Sequence, residues 1–104
     1  MAYRDHALVC PRCEVELVAS SGEKWQCREC VGVLAGPDEI PPELASIATP
    51  HRRAGAPIGC PACGTAMEQL HIAHIDVERC TRDGYVWFDA GELGYVRAYI
   101  AAEM

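Results

Sequence analysis

Two short β-forming runs and one helical stripe organise the apolar positions of this chain. Leu70, Ile72, Ile75 and Val77 flank Ala73-His74, and their strand-forming character on both sides of that dipeptide predicts a hairpin turning there. Nearer the N-terminus, Val15, Leu17 and Val18 lead into Ser20-Ser21-Gly22 and predict a second hairpin. The C-terminal segment changes period. Leu93, Val96 and Ile100 form a stripe at helical spacing, and Asp89-Ala90-Gly91-Glu92 has the arrangement of a capping box, so a helix is predicted from about Ala90 to Glu103. A shorter helix of about two turns is predicted over Pro42-Glu43-Leu44-Ala45-Ser46-Ile47-Ala48, with proline at its first position and Ile40, Leu44 and Ile47 on one side.

The hairpins are bracketed by a repeat. Cys10-Pro11-Arg12-Cys13 is followed by Cys27-Arg28-Glu29-Cys30, and Cys60-Pro61-Ala62-Cys63 is followed by Cys80-Thr81-Arg82-Asp83. The segments downstream align as well: Val33-Leu34 with Val86-Trp87, and Asp38-Glu39-Ile40 with Gly91-Glu92-Leu93. Two residues between cysteines let one tight turn present both sulfurs to a single ion, and two such turns at opposite ends of a hairpin complete the site. The expected fold is therefore a small metal-stabilised α+β protein: two tandem zinc ribbons, each a β-hairpin with zinc knuckles, and a C-terminal α-helix. The boundaries expected are 1–40 for the first ribbon, 41–59 for a linker holding four of the seven prolines, and 60–104 for the second ribbon with its helix.

Composition supports a metal in place of a large core. Half of the 104 residues are apolar, but only one is Phe and two are Trp, and segments of some 40 residues rarely bury enough surface to fold unaided. Seven cysteines is an odd number, no secretory leader pattern opens the chain, and no run of about 18 apolar residues could span a membrane, so a cytoplasmic protein with metal-bound thiols is expected in preference to a disulfide framework. The formal charge of −6 becomes about −9 once seven thiolates and two zinc ions are counted. That balance disfavours duplex nucleic acid and favours another protein as partner. Nucleic-acid binding would need Arg4, Arg12, Arg28, Arg52 and Arg53 to converge on one face.

Cys10, Cys13, Cys27 and Cys30 form a complete ligand set for one zinc, and four thiolates accept iron as well. A redox dithiol is the other reading of such pairs, although redox motifs come as one pair at a helix start. The second set has Cys60, Cys63 and Cys80, with Asp83 where the first copy has Cys30. A carboxylate can complete a zinc site, so Asp83 is the first choice, with His71, His74, water or no ligand as the other options. An open fourth position would permit hydrolytic or deaminase-like chemistry at a three-cysteine zinc, but no general base in a walled site accompanies it in the sequence.

The run Cys60-Pro61-Ala62-Cys63-Gly64-Thr65-Ala66-Met67, then Ile75 to Cys80, then Val86-Trp87-Phe88-Asp89-Ala90-Gly91-Glu92-Leu93, resembles the transcription-factor-IIB-like zinc-ribbon family of small bacterial proteins. The likeness covers residues 60 to about 96 and departs from the family at Asp83 and Tyr85; residues 10 to 40 look like a drifted copy with four cysteines but without the final octet. The resemblance implies a ribbon scaffold for protein contacts and no defined activity; together with the cysteine spacing and the acidic charge it leads to the expectation of two structural zinc ions, no catalytic residues, and a protein-interaction adaptor connected with transcription or a larger assembly. A nucleic-acid-binding regulator, and an enzyme or redox protein with an open three-cysteine site, are the alternatives. Trp87 and Phe88 are expected to clamp ribbon to helix, and the helix stripe, with Tyr95 and Tyr99 beside it, could pack internally or form a dimer.

Overall fold

A computed structural model describes residues 8–51 and 57–103, so Arg4, Arg52 and Arg53 lie outside the described residues. The strands are β1 (Val18–Ala19), β2 (Lys24–Gln26), β3 (Val33–Ala35), β4 (Thr49–Pro50), β5 (Glu68–Ile72), β6 (Ile75–Arg79) and β7 (Val86–Phe88). The helices are a single 3-10 turn at Pro37–Glu39, α1 (Leu44–Ile47) and α2 (Glu92–Glu103). The fold is a small antiparallel sheet with a C-terminal helix, the α+β architecture of a zinc ribbon.

The strand order is β1-β2-β3-β7-β6-β5-β4, every pair antiparallel. Each cysteine-bearing half supplies a three-stranded meander, β1 to β3 and β5 to β7, and the third strands of the two meanders pair with each other. The register sets Val33 against Phe88, Leu34 against Trp87 and Ala35 against Val86. The two halves thus share one sheet. β5 and β6 turn at Ala73-His74 as the sequence predicts, with Ala73 at φ 54. The region between the halves is more ordered than its composition implies: Thr49 and Pro50 add an edge strand to β5, where a proline without an N–H is tolerated.

Alternation along the strands sends side chains to two opposite faces. Ala35, Leu70, Ile72, Val77, Val86 and Phe88 point to the face covered by Leu44 of α1 and by Leu93, Val96 and Ile100 of α2. The predicted helical stripe is therefore buried against this chain's own sheet. Leu34, Met67, Cys80, Tyr85 and Trp87 point the other way and form a second cluster with Cys10, Cys27 and Cys60. Trp87 and Phe88, expected to act together between ribbon and helix, are consecutive strand residues and so divide between the faces: Phe88 packs under the helix and Trp87 lies among the cysteine-bearing turns. Trp25 stacks on Tyr85 across the two halves, ring centroids 5.8 Å apart.

α2 begins two residues later than predicted, at Glu92. Half of the capping box forms, with the Asp89 backbone N–H donating to Glu92 Oε1 at 2.9 Å. The Asp89 carboxylate is turned elsewhere: Trp87 Nε1 donates to it at 3.0 Å and Arg12 Nε at 2.7 Å.

Candidate metal centres

Four turns of one design carry the candidate ligands. In each, the backbone N–H of the first ligand residue donates to the carbonyl five residues on: Cys10 to Val15 at 2.8 Å, Cys27 to Gly32 at 2.9 Å, Cys60 to Thr65 at 2.8 Å and Cys80 to Tyr85 at 2.7 Å. In each, the residue four positions on returns a hydrogen bond to the first ligand's carbonyl, from Glu14, Val31, Gly64 and Gly84 at 2.7–3.1 Å. All four of these returning residues have positive φ, 62°, 64°, 81° and 83°. The turn at 80–85 therefore has the same backbone as the other three, and Asp83 stands at the position that Cys13, Cys30 and Cys63 occupy in them.

The knuckles also aim amides at sulfur. Arg12 N–H and Cys13 N–H donate to Cys10 Sγ at 3.4 and 3.3 Å, and Glu29 N–H and Cys30 N–H donate to Cys27 Sγ at 3.3 and 3.4 Å. Such donors favour thiolate over thiol, the form that binds metal. Burial pushes the Cys27 thiol up, but these two amides, together with hydrogen bonds from the Cys10 and Cys30 side chains, outweigh it and bring its pKa down to about 7. At Cys13, burial and the neighbouring sulfurs of Cys30, Cys27 and Cys10 push the thiol up to about 12. Within one quartet the first proton therefore leaves easily and another is held tightly, the pattern of like charges converging on one point.

The side chains come together as two groups, Cys10, Cys13, Cys27 and Cys30, and Cys60, Cys63, Cys80 and Asp83, with the donor atoms of each group within 4.8 Å of one another. All seven cysteines are free thiols. Four sulfurs around zinc at about 2.3 Å would lie about 3.8 Å apart, and a sulfur and a carboxylate oxygen about 3.5 Å apart. Cys10 Sγ and Cys30 Sγ are 3.8 Å apart, Cys63 Sγ and Cys80 Sγ 3.5 Å, and Cys60 Sγ and Asp83 Oδ2 3.5 Å. Both donor sets fit zinc. The first ligand of every knuckle is buried, while Cys13, Cys30 and Asp83 are half-buried and Cys63 is exposed.

Asp83 is held as a carboxylate. Burial alone would raise its pKa, but hydrogen bonds from Cys80, from the Tyr85 N–H to Oδ1 at 3.1 Å and from Cys60 bring it below the ordinary value. The alternative ligands stand elsewhere. His71 lies near the turn end of the β5-β6 hairpin, its Nδ1 2.9 Å from Asp76 Oδ1, and His74 is exposed in the turn itself. Neither belongs to the group around Cys60.

In the sequence Arg12 reads only as a candidate phosphate contact and Glu78 as an ordinary solvated charge on a short exposed hairpin; the burial of Glu78 overturns the second reading. Arg12 projects from the first knuckle across to the other half, bonding Asp89 through both Nε and Nη2, at 2.7 and 3.2 Å, and Glu78 Oε2 at 3.2 Å. Glu78 is only 2% exposed. No local signal marks that link, because it joins residues 66 and 77 positions apart. Arg79 and Arg97 also face carboxylates, Glu68 at 2.9 Å and Glu39 at 4.0 Å.

Residues 59–96 match the family model described as transcription factor zinc-finger, a zinc ribbon of the TFIIB type. The matched segment contains Cys60, Cys63, Cys80 and Asp83 and runs through the start of α2, and the match does not extend to the first cysteine cluster. No curated protein and no solved structure matches the chain.

Proposed function

We propose that this zinc-ribbon chain is a structural scaffold without catalytic activity, that Cys10, Cys13, Cys27 and Cys30 hold one zinc and Cys60, Cys63, Cys80 and Asp83 the other, and that its role is to dock on another protein. The observation that carries this is the closure of both sites. Each has four side-chain donors within 4.8 Å of one another, with Cys10–Cys30, Cys63–Cys80 and Cys60–Asp83 at 3.5–3.8 Å, so a zinc held by all four has no corner left for substrate or attacking water. Zinc bound in this way supplies folding energy and a fixed surface.

The surface favours a protein partner. The chain is acidic at −6, and Arg12, Arg79 and Arg97 are each engaged by carboxylates of the same molecule, which removes them from a phosphate-binding face. Val9 and Val31, the neighbours in sequence of the ligands Cys10 and Cys30, are 42% and 50% exposed. Val31 combines that exposure with φ 64, a conformation β-branched residues rarely adopt. The knuckle imposes that φ, as it does at Glu14, Gly64 and Gly84, so what the knuckle leaves unexplained is an exposed valine where glycine would stand without strain. The family match supplies transcription as the setting in which the partner is sought. By this account the first ribbon is a second, drifted copy of the matched one.

Val31→Gly separates docking from stability. Glycine relieves the positive φ and removes the exposed side chain, so the variant should unfold at the same or higher denaturant concentration yet lose cross-links to the cellular partner that a photoreactive residue at position 9 captures from the wild-type chain. Unchanged cross-linking in the variant would contradict the docking role assigned to Val31. Salt-sensitive retention of DNA or RNA by the wild-type chain would replace the adaptor with a nucleic-acid-binding regulator.

A further inference from the structure

Three strands bring a third set of metal-binding side chains together, away from both knuckle sites. Asp76 on β6 lies directly opposite His71 on β5, and Thr49 on β4 lies opposite His71 on its other side. His51 follows two residues after Thr49 and continues the edge, its N–H donating to the Gln69 carbonyl at 2.9 Å. Alternation puts His51, His71 and Asp76 on one face of the sheet at the turn end of the hairpin. The two imidazole centroids are 5.1 Å apart, His71 Nδ1 is 2.9 Å from Asp76 Oδ1, and donor atoms of all three residues lie within 4.8 Å of one another.

We propose that His51, His71 and Asp76 form an exchangeable site for a borderline divalent cation of the zinc, nickel or copper type, additional to the two structural zinc sites. Two imidazoles and a carboxylate are the donor set such cations prefer, and three protein donors leave coordination positions for water. An exposed His–Asp pair alone contributes little to a hairpin and gives no reason for a second imidazole beside it. His51 is exposed, and the His71 and Asp76 side chains are 39% and 29% exposed, so a cation reaches them from solvent and leaves again. The donors already lie within 4.8 Å of one another, against about 3.3 Å for two such donors on one cation, and the exposed His51 side chain is free to rotate toward the other two. Affinity should consequently be far below that of the buried thiolate sites.

The test is calorimetric titration of Zn²⁺ into the full chain already carrying its two chelator-resistant zinc ions, followed by histidine ring NMR signals. The expected result is one further equivalent, with a dissociation constant on the order of 10 μM, perturbing His51 and His71 but not His74. His51→Ala should weaken it at least about 10-fold and Asp76→Asn several-fold, with both tight zinc ions retained. His51 lies one residue beyond β4 and outside β5 and β6, so that variant remains informative if substitutions within β5 or β6 disturb the hairpin. Absence of a further equivalent up to about 1 mM, or a further equivalent unaffected by His51→Ala, would overturn the site. Loss of the tight zincs would bear on the structural sites alone.

Discussion

Gly32 lies against the ring of Trp87, and replacing it with alanine probes whether the two halves depend on one core. Gly32 is not among the glycines with positive φ, so alanine meets no backbone penalty there. It would gain about 0.4–1 kcal/mol from the less flexible unfolded chain if space allowed. Space does not allow it. A Cβ at Gly32 would lie 2.8 Å from Trp87 Cη2 and 3.1 Å from Cε2, with Cζ2 closer still. The indole cannot easily withdraw, because Trp87 is fully buried, paired with Leu34 across the β3-β7 junction and tied through Nε1 to Asp89 at 3.0 Å. Overpacking of this kind costs about 1–3 kcal/mol, and the pinned ring places the cost at the upper end, leaving a net loss of about 2 kcal/mol. Denaturant unfolding at fixed free zinc, followed by tryptophan fluorescence, should show one cooperative transition moved by that amount. A Gly32→Ala, Trp87→Leu double variant should lose much less than the sum of the single changes, since the smaller side chain removes the clash. A change below about 0.5 kcal/mol for Gly32→Ala, or strict additivity, would refute the claim that Trp87 is wedged between the halves.

Three further outcomes follow from the same structure. Arg12→Met should cost about 2 kcal/mol by withdrawing a partner from the buried Glu78, and a cycle with Glu78→Gln should return a coupling above about 1 kcal/mol; simple additivity would remove the cross-half link. Gly94→Ala should stabilise by about 0.5–1 kcal/mol in the same assay, since the position is inside α2 and nothing lies within 4 Å of an added Cβ; destabilisation would mean that this face of the helix is covered. Acid should release zinc from both sites, with different steepness. Asp83 has a lowered pKa, so its contribution is complete above the ordinary carboxylate value of 3.8 and fades only as pH falls through the lower folded value, whereas thiolates are protonated well before that. Between about pH 5 and 6.5, log affinity should therefore fall by about four per pH unit at the four-cysteine site and by about three at the site containing Asp83, read by competition with a chromophoric chelator. Equal slopes would show that Asp83 is not the ligand that replaces a thiolate.

The parts of this molecule that were legible in the sequence are those with local causes. Paired cysteines two residues apart announce knuckles, Ala73-His74 between strand-formers announces a turn, and the Leu93, Val96 and Ile100 stripe announces α2 and the face it buries. Asp83 was legible as a ligand candidate because the repeat aligns it with Cys30, and the shared knuckle backbone explains why a carboxylate can stand there. What joins the halves was not legible. β3 and β7 are three residues each, too short for periodicity to register, and their pairing connects Val33 with Phe88. The separate fates of Trp87 and Phe88 follow from that same pairing, which makes β7 a central strand buried on both faces. Arg12 was read by its charge, when its position beside β7 gave it an internal partner. The edge strand Thr49–Pro50 lay hidden in a proline-rich stretch, and with it the approach of His51 to His71.

The zinc content of the natively purified chain, counted by native mass spectrometry after brief exposure to a strong chelator, bears most directly on the central claim. Two zinc ions are predicted for the wild-type chain, one for Cys13→Ser and one for Asp83→Ala, each variant losing the ion of its own cluster. A wild-type chain that keeps fewer than two ions, or an Asp83→Ala chain that keeps both as firmly as the wild type, would contradict it.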